Sequence, residues 1–122
     1  MSLAGFSLGG PDAVDAALHS ALDGIALRQR VIADNIANVD TPGFRATTVD
    51  FEASLLAAIA SGDPANLQIS TTPTDTPVGA NGNNVDLRKE TLAAVQSQFQ
   101  YQVMTRAVSD RAELLRTVAG NH

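Results

Sequence analysis

Apolar residues recur at helical spacing in the first third of the chain. They follow one another at steps of three and four, with only the Gln29 position polar, and are Leu18, Leu22, Ile25, Ile32, Ile36 and Val39. Such a stripe is typical of a helix that packs along one side, as in a coiled coil. Pro11 is tolerated in a first helical turn, and Asp12 suits the positive end of a helix. The pattern therefore predicts a helix over residues 12–39.

A second helical pattern covers residues 85–119. One apolar face consists of Leu92, Val95, Phe99, Val103, Ala107, Leu114 and Val118. A second face beside it consists of Tyr101, Met104, Val108, Ala112 and Leu115. Asn84 or Asp86 is the expected cap at the start, and Gly120 with Asn121 is the expected end. A helix with two apolar faces has two neighbours, so we expect one face to contact another chain.

Residues 40–84 differ in kind from both ends of the chain. A short helix is predicted over residues 51–60, and the letters LQIST at residues 67–71 form a candidate strand. Most of the remainder is dense in Gly, Pro, Ser, Thr, Asn and Asp, and such a segment buries too little apolar surface to become ordered unaided. We therefore expect residues 61–84 to be an exposed or conditionally ordered loop.

These three regions together predict a mainly α fold within one domain of residues 1–122. The two long terminal helices form an antiparallel, coiled-coil-like hairpin, and the loop-rich middle joins them. Two helices alone make a thin structure, so the surplus apolar helix surface predicts association with other chains.

A firm stop follows the first helix. Thr41-Pro42-Gly43-Phe44 has the form of a type II turn, in which Pro fixes φ at the second position and Gly supplies a positive φ at the third. Just upstream, Asn38 tolerates the left-handed conformation that ends helices, and Asp40 can accept hydrogen bonds from free backbone donors. We predict that the helix ends at this turn.

Asn35 and Asn38 are costly inside a helix unless their amides are used. In one interpretation they are solvated, or Asn38 merely caps the helix end. In the other they hydrogen-bond the backbone of a neighbouring chain and fix the register, as a polar residue in an apolar seam can. The sequence leaves both open.

Composition excludes several classes of function. The net charge is −5 and Lys89 is the only lysine, which argues against binding nucleic acid through clustered positive charge. The chain has no Cys, hence no disulfide framework and no thiol nucleophile. No apolar run is long enough to span a bilayer, and no Lys or Arg precedes the first apolar residues as in a cleavable signal.

Catalytic and ligand-binding chemistry is not predicted either. Asp15, His19 and Asp23 share one helix face, but their spread over two turns is poor geometry for zinc, so we interpret them as a solvated acidic face. The letters GANGNN at residues 79–84 lack the Lys-Ser/Thr of a phosphate loop. We expect no enzyme activity, no cofactor and no small-molecule substrate.

One stretch carries a family resemblance. RQRVIADNIANVDTPGFRATTVDF, residues 28–51, resembles the N-terminal signature of the flagellar rod, hook and related axial proteins. The residues that match the motif and its helix-ending turn are Asn35, Ile36, Ala37, Asn38, Asp40, Thr41, Pro42, Gly43 and Phe44. Phe44 stands where Tyr is common and Arg45 where Lys is common. Within the family, Asp40, Val49-Asp50-Phe51 and the C-terminal letters most resemble a basal body protein of the proximal rod.

The resemblance implies a structural part of the bacterial flagellum. Proteins of this family are exported through the flagellar type III apparatus and polymerise helically through their terminal helices. The implied partners are copies of the chain, other rod and basal body proteins and the export apparatus, and the implied location is the periplasmic rod. The expected assembly seam comprises Leu18, Leu22, Ile25, Ile32, Ile36, Leu92, Val95, Phe99, Val103, Leu114 and Val118. A neighbouring rod subunit and a small helical export chaperone are the alternatives.

Overall fold

The computed structural model describes residues 11–120. Its elements, in chain order, are α1 (Pro11–Ala37), β1 (Thr47–Val49), α2 (Glu52–Ala60), a 3-10 turn (Pro64–Asn66), β2 (Thr71–Pro73) and α3 (Leu87–Gly120). The predicted mainly helical fold with a short central helix is confirmed. Asn121, part of the expected end of the second helix, and the N-terminal residues 1–10 lie outside the described residues.

The two long helices run antiparallel. Three side-chain pairs join them in reverse chain order: Asn35 contacts Glu90, Arg28 contacts Gln100, and Asp15 contacts Arg111. The face of α3 turned toward α1 carries small and polar side chains, among them the buried Ser97. Small side chains allow two helices to approach closely, so the hairpin is narrow.

Each helix has a defined boundary. Asp86 caps α3, because its Oδ1 accepts a hydrogen bond of 3.1 Å from the backbone N–H of Lys89. Asn84, the alternative cap, instead accepts a hydrogen bond from the backbone N–H of Ala46. Helix α1 ends two residues before the predicted position, and Asn38 does not adopt the left-handed conformation expected of it, since no non-glycine residue from 11 to 120 has a positive φ.

A two-stranded antiparallel ribbon lies beside the helix pair. Thr47 pairs with Pro73 and Val49 with Thr71. The candidate strand at residues 67–71 is therefore misplaced, because β2 begins only at Thr71. The apolar Leu67 and Ile69 are partly buried instead of pairing in the ribbon, and Ile69 packs against the hydrophobic core.

The hydrophobic core is small and involves three helices and the ribbon. Ala21 and Ile25 of α1 meet Val49 of β1 and Phe51 at the start of α2. Phe51 lies over Gly24, where even a methyl group would come within 2.6 Å of the ring. The absence of a side chain at residue 24 is thus what allows the aromatic ring to reach α1.

The middle segment is loop-rich and largely exposed, as predicted, and part of it is held against α1. The hydroxyl of Ser20 donates a hydrogen bond of 2.6 Å to the backbone oxygen of Pro64, and both residues are buried. The segment thus gains order from α1 that its own composition could not supply. Within residues 11–120, no helix has the length and apolar character needed to cross a membrane.

Candidate assembly surface

The turn after α1 has the geometry expected of it. Gly43 has a φ of 77°, and the backbone N–H of Phe44 donates to the oxygen of Thr41 at 3.2 Å. A positive φ at the third position and a bond between the first and fourth residues are the features of a type II turn. The chain therefore reverses direction here and leads into β1.

Two buried asparagines before α3 hold this turn in place. The amide of Asn83 donates to the backbone oxygens of Asn38 and Thr41, at 2.9 Å and 2.8 Å. The side-chain oxygen of Asn84 accepts a bond of 2.6 Å from the backbone N–H of Ala46. The end of α1 and the start of α3 are thereby joined through amide groups.

The environment of Asn35 differs from both interpretations given above. Its side chain is 1% exposed, and its amide donates to the oxygen of Thr47 at 2.8 Å and to Oε1 of Glu90 at 3.0 Å. Its own oxygen accepts a bond from the N–H of Thr47 at 3.3 Å. Asn35 is neither solvated nor committed to a neighbouring chain, because its polar atoms are used within its own chain.

Asn38 acts locally, as the simpler interpretation predicted. Its amide donates to the backbone oxygen of Asp34 at 2.8 Å, and its side-chain oxygen accepts from the hydroxyl of Thr41 at 3.0 Å. These bonds satisfy polar groups at the end of α1 and in the turn. Of the remaining motif residues, Ile36 and Phe44 are partly buried, whereas Ala37, Asp40, Pro42 and Gly43 are exposed.

Arg28 of α1 contacts three other elements of the fold, a role that the sequence did not predict. Its guanidinium donates to the backbone oxygen of Val49, forms a two-bond pair with Glu52 at 2.7 and 2.8 Å, and reaches Gln100. It also lies 4.9 Å from the ring centre of Phe51. The hydrogen bond from Arg28 lowers the pKa of Glu52 below its ordinary value. One cation thus ties α1 to β1, α2 and α3.

A row of exposed apolar side chains runs along α3. Four bulky residues follow each other at helical spacing and are exposed; we call Leu92, Val95, Phe99 and Val103 the outer face of α3. Phe99 is 67% exposed. Leu92 and Val95 lie away from α1, whereas Phe99 and Val103 border an apolar groove shared with the α1 and α2 region. A contiguous exposed apolar face of this kind marks an interaction site.

The predicted seam residues divide between the inside and the outside of the chain. In α1, Ile25 and Ile32 are buried within their own chain, and Leu18, Leu22 and Ile36 are partly buried. In α3, Leu114 and Val118 are exposed together with the outer face. The stripe of α1 therefore faces its own α3 and ribbon, and the unpartnered apolar surface belongs to α3.

The acidic face of α1 shows no arrangement suited to metal. Asp15 pairs with Arg111 at 2.7 Å, and His19 Nδ1 lies 2.8 Å from the backbone oxygen of Asp15. No group of three or more His, Asp and Glu side chains in the described part of the chain is placed to hold an ion. Asp23 is exposed, as a solvated face predicts.

The sequence did not predict the roles of several residues that hold the structure together. Asn83 and Asn84 were considered only within a failed phosphate-loop pattern or as a helix cap, and Arg28 and Glu90 were not assigned partners. The sequence does contain a signal for Asn83 and Asn84: two adjacent asparagines before a helix carry amide groups that need hydrogen-bond partners. Nothing in the sequence alone pairs Arg28 with Val49, because that contact depends on how the ribbon docks.

Comparison with known proteins identifies relatives of this chain. Residues 17–45 match the family described as flagella basal body rod protein. The chain is 36% identical to flagellar basal body rod protein FlgB of Bacillus subtilis, with 83% of this chain and 88% of that protein covered. It is 34% identical to FlgB of Borreliella burgdorferi, covering 71% and 81%, and 32% identical to FlgB of Escherichia coli, covering 88% and 95%.

An antiparallel helix pair with a large apolar face turned outward is typical of a subunit of a larger assembly. The relatives make that class specific: the chain belongs to the flagellar basal body rod protein family. It is a structural subunit of the basal body rod. The relatives favour this interpretation over a neighbouring rod subunit and over an export chaperone.

Proposed function

We propose that the chain polymerises through its terminal helices, with copies of itself and with other rod and basal body proteins, to form the proximal rod of the flagellar drive shaft. The observation that carries the proposal is the outer face of α3. Its four bulky side chains lie in water in the single chain, and burying each is worth roughly 1.5–3 kcal/mol. An interface between subunits would cover them.

The end of α3 supports the same proposal. Every residue from 112 to 120 is exposed, although the segment includes Leu114, Leu115 and Val118. A helix end that packs on nothing is marginally stable in water. Contacts with neighbouring subunits would supply the packing that these turns lack.

Export through the flagellar type III apparatus into the periplasmic rod is also part of the proposal. A chain that is exported unfolded must give up its folded contacts at little cost. The core formed by Ala21, Ile25, Val49 and Phe51 is small, and no cysteine is present to form a covalent cross-link. Both features suit a chain that unfolds readily for export.

Phe99→Asp tests the proposal in a strain whose own copy of the gene is deleted. The variant should be made at normal levels and keep the helical content of the wild type, because residue 99 is already exposed. It should be missing from purified basal bodies, and the cells should not swim. The measurements are immunoblots of whole cells and basal bodies, circular dichroism and a motility assay.

Leu56→Asp is the matched control. Leu56 lies on α2 and is 69% exposed, which is close to the value for Phe99, so it adds the same charge outside the proposed interface. This variant should swim. Ile32→Asp gives a third result, since it buries a carboxylate within the chain and should lose helical content in solution. Normal rods built from Phe99→Asp would overturn the proposal.

A further inference from the structure

Helix α1 also carries a line of exposed and half-buried residues on the side away from α3. Its members follow at steps of four and three residues, and we call Asp12, Ala16, His19, Asp23, Ala26, Arg30, Ala33 and Ala37 the outer face of α1. Asp34 is exposed next to Ala33. The alternating steps are those of a coiled-coil seam, but the apolar members are all small. The face is therefore shallow, and Asp12, Asp23 and the adjacent Asp34 outweigh the charge of Arg30, so it is acidic on balance.

The outer face of α3 has the opposite character. Its apolar members are bulky, and exposed arginines lie at its two ends: Arg88 precedes Leu92, and Arg106 follows Val103. Arg106 is 3.7 Å from Asp110 in an exposed pair, a type of contact that holds weakly. A shallow acidic face and a bulky face with basic ends complement each other in both shape and charge.

We infer that the outer face of α3 in one copy packs on the outer face of α1 in the next copy. This inference rests on the proposed polymerisation and names the two surfaces that meet. The contact is heterologous, because each copy contributes a different face, and such contacts repeat without limit when they do not close into a ring. Copies that point the same way along a filament place the two helices antiparallel, as they are within the chain.

Charge fixes the register of this contact. Arg88 and Arg106 are 18 residues apart, or about 27 Å along a helix, and Asp34 and Asp12 are 22 residues apart, or about 33 Å. The two spacings differ by about 6 Å, a gap that two flexible arginine side chains can span. With Arg88 opposite Asp34 and Arg106 opposite Asp12, Val95 faces Ala26.

Cross-linking of cysteine variants tests the contact directly. The chain has no cysteine, so Ala26→Cys and Val95→Cys introduced together would provide its only thiols. Residues 26 and 95 lie on opposite outer sides of the helix pair, so a short bismaleimide cannot join them within one chain. Treatment of purified basal bodies should give a ladder of linked copies. A chain linked to a different protein, or no ladder at all, would overturn the inference.

The matched control carries Ala26→Cys with Leu56→Cys. Leu56 is exposed on α2, outside both outer faces, so this variant should give no ladder. A ladder of equal strength from the control would mean that the reagent links chains without regard to the contact, which would also count against the inference.

Charge reversal gives an independent test. Arg88→Asp places a carboxylate near the start of α3, and Asp34→Arg places a cation near the end of α1, and both changes suit the helix dipoles. Asp34→Arg also removes a 3.3 Å hydrogen bond from the amide of Asn38, so circular dichroism of each single variant should first show the helical content of the wild type. The double variant should recover swimming. If the single variants swim, or the double variant does not, the pairing is wrong; if Phe99→Asp still blocks rods, polymerisation through α3 stands without it.

Discussion

The amide of Asn35 on α1 donates a 3.0 Å hydrogen bond to the carboxylate of Glu90 on α3, and both side chains are buried. The same asparagine exchanges two bonds with the backbone of Thr47 on β1. One side chain therefore sets the relative positions of both long helices and the ribbon. A polar residue that would be costly inside a helix is thus the point at which three elements are aligned.

Asn35→Ala should lower the free energy of unfolding by about 2–5 kcal/mol, because it leaves Glu90 and the backbone of Thr47 buried without their partner. Asn38→Ala is the matched control, since its bonds are local and its side chain is partly exposed. That change should cost about 1 kcal/mol or less. Urea unfolding followed by circular dichroism measures both, and equal losses would contradict the assignment.

Gly24→Ala should destabilise the chain, against the usual trend for helices. Alanine normally stabilises a helix interior by about 1 kcal/mol relative to glycine. Here the new methyl group would lie 2.6 Å from the ring of Phe51, and such overpacking costs about 1–3 kcal/mol. Gly120→Ala, where nothing lies within 4 Å, should be neutral or stabilising. A higher melting temperature for Gly24→Ala would mean that Phe51 packs elsewhere.

Gly82→Ala should cost more than Gly43→Ala. Both glycines have positive φ, 79° and 77°, so both substitutions carry a strain of about 1–2 kcal/mol. Only at Gly82 would the added carbon also come within 3.1 Å of a backbone atom, the Cα of Gly43. The difference between the two urea midpoints reports how closely the two loops are held. Identical midpoints would show that the loops separate easily.

Glu52→Gln should change the response to acid. Arg28 lowers the pKa of Glu52 in the folded chain, so its stabilisation is present at neutral pH and is lost as the pH falls below 4.5 and through the lowered value. Because the Glu52 side chain is 56% exposed, the effect should stay below about 1 kcal/mol. The wild type and the variant should differ at pH 7 and converge in acid. The exposed Glu113→Gln should follow the wild type throughout.

Local patterns predicted much of this architecture. The spacing of Ile25 and Ile32 indicated the first helix and its buried side, and Pro42 with Gly43 indicated where the chain turns, because both signals depend on residues close in sequence. The antiparallel arrangement of the helices followed from their number and their apolar faces. The short central helix was predicted with a start one residue early, since Phe51 proved to be its cap.

Contacts between distant residues were not predictable in the same way. The partner of Asn83 lies 45 residues away at Asn38, and the partner of Asn35 lies 55 residues away at Glu90. Periodicity reports which side of a helix is apolar, but it does not say which apolar side faces its own chain. Only the burial of Ser97 and Glu90 against α1 shows which face of α3 packs within its own chain.

The asparagine junction between the end of α1 and the start of α3 has a consequence for how the chain responds to ionic strength. Asn83 and Asn84 make their bonds through neutral amides, whereas dissolved salt screens interactions between exposed charges. The paired charges of Arg28 with Glu52 should weaken in concentrated salt. The junction that positions both helices should keep its geometry across dilute and saline surroundings alike.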